Sequence, residues 1–142
     1  MNIFFAGCLT LLTVVSNCQR SHVVAHLDQA EAQQATRDFS YPESPEIIKD
    51  KTPHEAMALA GRISDHTGAG LERALVEHLS SGWKKRIDAT FTDSEGSFSF
   101  SQYSGTTQFL KISKPGFNTL LIKVKIKEEL KTQLNIKLAL SQ

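Results

Sequence analysis

Few residue sets in this chain have the types and spacing that chemistry requires. His54-Glu55 opens like a zinc-binding pair, yet no further ligand follows at the needed interval, so no H-x-x-E…H set forms. There is no Gly-rich phosphate loop before a helix and no G-x-S-x-G elbow, and residues 56–142 contain no cysteine to act as a nucleophile. Asp93 and Glu95 form an acidic pair of the sort used for glycoside cleavage or calcium binding. A turn role accounts better for Asp93, and Glu95 is expected to face water. His22 and His26 stand four apart, so a helix would bring both to one face for a metal, but no third ligand lies near them. Asn135 occupies the last strand, where self-made isopeptide chemistry would look for a partner lysine on the first; that strand offers Arg62 instead. The expectation is therefore no catalytic set, no metal and no cofactor. What remains for chemistry is the thiol of Cys18, and for binding the rings of Trp83 and Tyr103.

The elements that must position these residues come from an uneven chain. Its 142 residues suit one domain, and a net charge of +1 gives no field of one sign to gather nucleic acid. Residues 1–17 are almost uncharged, 18–55 are polar with weak periodicity, and 56–142 alternate repeatedly between apolar and polar. The last segment, about 85 residues, is enough for one small core of modest stability.

The apolar run from Ile3 to Val15 is too short to span a bilayer, which takes roughly 20 apolar residues. Its length suits the apolar region of a secretory signal, although the n-region carries no Lys or Arg and no A-x-A site follows. Val15-Ser16-Asn17-Cys18 does follow, and it resembles the lipobox of bacterial lipoproteins, with Asn17 where a smaller residue is usual. The resemblance implies cleavage before Cys18 and acylation of that cysteine. Cleavage would remove Cys8 and leave one thiol, so no disulfide within the mature chain. Several acyl chains anchor stably where one binds marginally. Gln19 and Arg20 follow the cysteine, and neither is Asp, so the resemblance favours the outer membrane of the bacterial cell envelope. The alternatives are a soluble secreted or periplasmic protein, with Cys18 merely ending an ordinary leader, and an uncleaved anchor.

Residues 18–55 read as a polar tether, disordered or partly helical. Ala25, Ala30, Ala32 and Ala35 favour a helix between Ser21 and Ser40, with Ser21 as its cap, but the apolar stripe is too narrow for the helix to fold alone. Tyr41-Pro-Glu-Ser-Pro45 would end it.

Period-two alternation runs through residues 56–142. Leu120, Ile122, Val124 and Ile126 share one parity against Lys123, Lys125 and Lys127, and Leu134, Ile136, Leu138 and Leu140 alternate in the same manner. Each pattern describes a strand with one covered and one wet face. Shorter strands are expected at Leu59–Ser64, at Ala74–Leu79, around Ile87, Ala89 and Phe91 facing inward, at Phe98 and Phe100, and at Gln108–Ser113. About seven strands with regular turn signals indicate an all-β, antiparallel sandwich. Asp65-His-Thr-Gly68 and Asp93-Ser-Glu-Gly96 each place Asp first and Gly fourth. There the carboxylate accepts from backbone N–H groups two residues on, and the glycine takes the left-handed conformation. Lys114-Pro-Gly116-Phe is a Pro-Gly turn.

The ordered set Gly61-x-Ile-x-Asp65, Gly68, Val76, Thr92-Asp93-x-x-Gly96-x-Phe98-x-Phe100, Pro115-Gly116-Phe117 and a final Leu-rich strand resembles the carboxypeptidase regulatory-like domain. That resemblance covers about residues 57–140 and implies a prealbumin-like, transthyretin-type β-sandwich without catalytic groups of its own. His78 stands where the family has a small apolar residue. It is either a strand-end histidine near the rim or a ligand-contacting, pH-sensitive one. Two readings of function follow. One is an interaction module for an envelope protein or a glycan, held to the membrane by its N-terminal lipid, with Trp83 and Tyr103 as contact rings and Phe39 and Tyr41 as further candidates. The other is a passive structural spacer with no discrete ligand.

Overall fold

The computed structural model describes residues 34–42 and 46–142. The leader, Cys18, His22, His26 and half of the tether lie outside the described residues. Residues 34–38 are helical.

The described residues form nine strands rather than about seven: β1 (Ile47–Lys49), β2 (His54–Ala56), β3 (Ala60–Ser64), β4 (Leu75–Leu79), β5 (Arg86–Phe91), β6 (Ser97–Ser99), β7 (Thr107–Ser113), β8 (Thr119–Ile126) and β9 (Leu134–Lys137). They make an all-β sandwich of two sheets. The larger runs β1-β8-β7-β4-β5, with β2 also on β8, and the smaller runs β6-β3-β9. The sheets are mixed, not purely antiparallel. β1 and β2 lie parallel to β8, and β3 lies parallel to β9. Parallel neighbours need a long connection, and here the rest of the domain supplies it. β1 and β2 fall in the segment read as tether. At three residues each they are too short to display alternation, and they are strands because β8 offers them an edge.

The core lies between the sheets. Ile122 and Val124 of β8, Leu110 and Ile112 of β7, Val76 of β4, Ile63 of β3, Phe98 and Phe100, and Leu134, Ile136 and Leu138 form one buried cluster. The inward parities expected for β8 and for Phe98 and Phe100 hold. Leu140 departs from its strand: β9 ends at Lys137, and Leu140 is 55% exposed.

β5 also departs. Phe91 pairs with Leu75 and Ala89 with Glu77, and neither Leu75 nor Glu77 belongs to the core cluster, whereas the intervening Val76 does. Ala89 and Phe91 therefore face away from the smaller sheet. A bulge at His78/Leu79 then breaks the register, and Ile87 is 56% exposed.

The outer face of β4 and β5 is nevertheless covered, because all of β4 is buried. Residues 34–42 lie across it as a strap. The rings of Phe39 and Tyr41 pack on Phe91, with centroids 5.3 and 6.3 Å away. Tyr41 donates its hydroxyl to the Arg73 carbonyl at 2.9 Å, and Arg37 pairs with Asp88 at 3.0 Å. Arg86 Nη1 donates to the carbonyls of Arg37 and Phe39 at 2.7 and 2.6 Å. Its Nε donates at 2.7 Å to Glu77, a buried carboxylate that Lys111 also approaches at 3.6 Å.

A candidate binding cleft at one end of the sandwich

The two Asp-Gly turns share one construction. Asp65 Oδ1 accepts from Thr67 N at 2.8 Å and Ala69 N at 3.0 Å, and Asp93 Oδ1 accepts from Glu95 N at 2.9 Å and Ser97 N at 2.8 Å. Gly68 and Gly96 adopt positive φ, as does Gly116 in the Pro-Gly turn. Arg62 ties the two Asp turns together, donating to the carbonyls of Glu95 and Gly68. The Asp65 carboxyl lies below the usual carboxylate range, chiefly because the Thr67 hydroxyl donates to it, with the Ala69 and Thr67 amides adding to the effect. Thr92 fastens the start of β4: its Oγ1 accepts from Ala74 N at 2.8 Å and donates to the Leu71 carbonyl. These residues build the frame and leave their polar groups occupied. Glu95 is exposed, as expected.

The chemistry-bearing residues gather elsewhere, at the end of the sandwich where β4 stops and the β6–β7 loop turns. A cleft of about 490 Å³ opens there between His78, Ile87, Gln108 and loop residues Ser101 to Ser104. That volume is in the range of small-ligand sites.

His78 is next to last in β4, at this end of the sandwich, yet it is not open to solvent. It is 3% exposed, on the inner face of β4, with its ring 5.7 Å from that of Phe100. Gln108 Nε2 donates to the Ser104 and Gly105 carbonyls at 2.9 and 2.7 Å, which turns Oε1 towards His78 Nε2, 2.8 Å away. An amide oxygen only accepts, so this network assigns the imidazole proton to Nε2. Nδ1 is left as a buried acceptor without a partner among the described residues. His78 therefore acts as a donor to Gln108 and has no lone pair at Nε2 with which to take a proton from a substrate. Through Gln108 it holds the loop that floors the cleft.

Tyr103 packs against the end of the core and lines the cleft, beside Ser101, Gln102 and Ser104. The lining carries hydroxyls, amides, one phenol and one imidazole, and no carboxylate, ammonium or guanidinium.

Trp83 is not part of it. Its ring stands edge-on to Phe109, centroids 4.9 Å apart, and Lys49 Nζ sits 4.2 Å from its centre. Phe109 alternates with the core residue Leu110, so it belongs to the outer face of the larger sheet. Trp83 and Tyr103 occupy different surfaces and do not form a common platform. Phe39 and Tyr41 serve the strap. Gln108 was missed by sequence reasoning, although its signal was present: it is a polar residue on the inward parity of Leu110 and Ile112.

His54 and Glu55 are separated in role. His54 Nε2 lies 2.9 Å from Asp50, and Glu55 pairs with Lys127 at 2.7 Å. Asp50 is held below the usual range, first by the Thr52 amide and then by His54. Among the described residues, no three of His, Cys, Asp and Glu are grouped to hold a metal.

The frame of strands and Asp-Gly turns coincides with a known family. The sequence profile of the carboxypeptidase regulatory-like domain matches residues 58–139. The chain belongs to this family. No curated protein matches it. The regulatory-like domain is a non-catalytic module. Residues 46–57 add two strands to the larger sheet in front of the matched segment.

Proposed function

We propose that the protein is a non-catalytic interaction module of the bacterial envelope, anchored through an acylated Cys18, whose end cleft receives a neutral, polyhydroxylated group such as the end of a glycan. The observation that carries the reading is the cleft lining. It carries hydroxyls and amides with no carboxylate, ammonium or guanidinium, the His78–Gln108–Ser104 chain fixes the loop that presents Ser101, Gln102 and Ser104, and the Tyr103 ring offers an apolar wall. Neutral hydroxyl-rich ligands match such a surface, because a charged ligand would lose hydration there without gaining an opposite charge. Ring stacking on Tyr103 would add the apolar contact that a sugar face requires. The lipobox-like sequence at Cys18 supports the location.

Calorimetric titration of the full chain with a panel of neutral mono- and oligosaccharides tests the cleft. Binding is expected to be lost in Tyr103→Ala and kept in Trp83→Ala. Saccharide binding indifferent to Tyr103, or none across the panel, overturns the assignment. Mass spectrometry of the N-terminus from membrane extracts tests the anchor separately; an unmodified Cys18 removes it.

A further inference from the structure

The outer face of the larger sheet carries a second surface, distinct from the cleft. Registers place Lys49, Glu77, Phe109, Lys111, Lys123 and Lys125 on this face, joined by Glu55 of β2. Its two carboxylates are already engaged: Glu77 by Arg86 and Lys111, and Glu55 by Lys127. Among the described residues, Lys49, Lys123 and Lys125 form no close ion pair, although Lys125 stands beside Glu55 in register and adds to the field that lowers that carboxyl. Lys49 sits over the Trp83 ring, and Lys123 Nζ lies 5.8 Å from the Phe109 ring centre. The result is an aromatic pair bordered by cations that outnumber the carboxylates of the face. The strap crosses the same face, with Arg86 gripping its backbone, so the chain enters the domain on the side that bears these lysines.

We propose that this face docks on an anionic membrane surface. The proposal rests on the anchored-envelope reading for its setting, but the lysines and rings stand independently of any lipid on Cys18. Charge complementarity selects the occupant, and the entry of the chain on this face would direct it towards the membrane to which the N-terminus leads. A lysine near an anionic leaflet contributes enough that Lys49, Lys123 and Lys125 together give on the order of 100-fold in partitioning. A half-buried Trp at the same level suits the interface between headgroups and acyl chains. Docking would set the β1–β8–β7 part of the larger sheet, beside the strap, against the membrane and leave the cleft open at the sandwich end.

The test uses the full chain carrying Cys18→Ser, so that its outcome does not depend on acylation. Partitioning is measured on vesicles of phosphatidylglycerol with phosphatidylcholine and on phosphatidylcholine alone. Neutral vesicles report any contribution of the apolar leader, which all variants share. Trp83 is the single tryptophan, so its emission reports the contact directly. Expected are at least roughly tenfold stronger binding to the anionic vesicles, weakening as salt shortens the Debye length, and a blue-shifted Trp83 emission. The folded triple variant Lys49→Gln, Lys123→Gln, Lys125→Gln should lose the difference, whereas Lys137→Gln on the other sheet should keep it. Equal binding to both vesicles, or anionic preference surviving the triple variant, overturns the proposal. So does preference for a soluble polyanion with no gain on anionic vesicles.

Discussion

His78 Nε2 and Gln108 Oε1 face each other at 2.8 Å from neighbouring strands, both side chains buried at the end of the core. The pair is directional because Gln108 spends its amide hydrogens on the loop carbonyls of Ser104 and Gly105. Gln108→Leu keeps the bulk and removes every one of these bonds. It leaves the His78 N–H unpaired and buried, at an expected loss of about 1–3 kcal/mol. Urea unfolding reads the loss, and amide exchange should accelerate across residues 104–106. A change below about 0.5 kcal/mol with unaltered exchange would show that the loop is held by other contacts.

Arg86 joins two layers that the sequence does not connect. It neutralises Glu77 on β4 and grips the strap by two carbonyls. Arg86→Met retains an apolar stem but leaves the carboxylate with Lys111 alone, 3.6 Å away. The expected cost is about 3 kcal/mol, at the low end for a broken buried pair because one cation remains. The same change should release the strap, so trypsin should cut at Arg37 sooner than in the parent. Loss of stability without faster cleavage would assign the strap's hold to Phe39 and Tyr41 instead.

The strap also explains how far the fold could be read from the sequence. β8 and β9 were legible because their inner faces are apolar and their outer faces mostly polar: in β8 Val124 stands between Lys123 and Lys125, with Leu121 the outer exception, and in β9 Leu134 and Ile136 alternate with Asn135 and Lys137. β5 was not, because Ala89 and Phe91 are apolar for the opposite face. Its parity is clear, with Ile87, Ala89 and Phe91 apolar against Arg86, Asp88 and Thr90, but parity marks the covered face without saying what covers it, and the cover here comes from Phe39 and Tyr41, far away in sequence. β1 and β2 were invisible for another reason, since three residues cannot show a period. At the cleft, His78 and Tyr103 were singled out by type and position. Gln108 was not, as its value depends on carbonyls that only the folded loop brings to it.

Gly61 marks the closest approach within the smaller sheet. It lies on β3 between Phe98 of β6 and Leu134 of β9, and a Cβ there would collide with the Leu134 backbone carbonyl and side chain. Backbone cannot swing aside as a side chain can, so Gly61→Ala must push β9 from its partner. A destabilisation of about 3 kcal/mol is expected, at the upper end for an overpacked site. Ala60→Gly, beside it on β3 and differing in the opposite sense, should cost about 1 kcal/mol or less. Chemical denaturation of both variants decides the matter. Similar small losses for the two would mean that the sheet opens at Gly61 without penalty.

Acid should unfold the domain through its turn carboxylates. Asp65 is depressed first by the Thr67 hydroxyl, and Asp50 first by the Thr52 amide. Glu55 is depressed by its bond from Lys127. Each carboxyl binds its proton less readily folded than unfolded, so the unfolded chain takes up protons first as pH falls. Stability from these groups is therefore fully present only above about pH 5, where the unfolded carboxyls are ionised, and drains away as pH drops through the lower folded values. Asp65→Asn retains an acceptor oxygen for the Thr67 and Ala69 amides but has no proton to gain. Its melting temperature should lie below the parent's near neutrality and fall less steeply below about pH 4, so that the two curves converge. Parallel curves through that range would remove Asp65 from the acid response and leave it to Asp50 and Glu55.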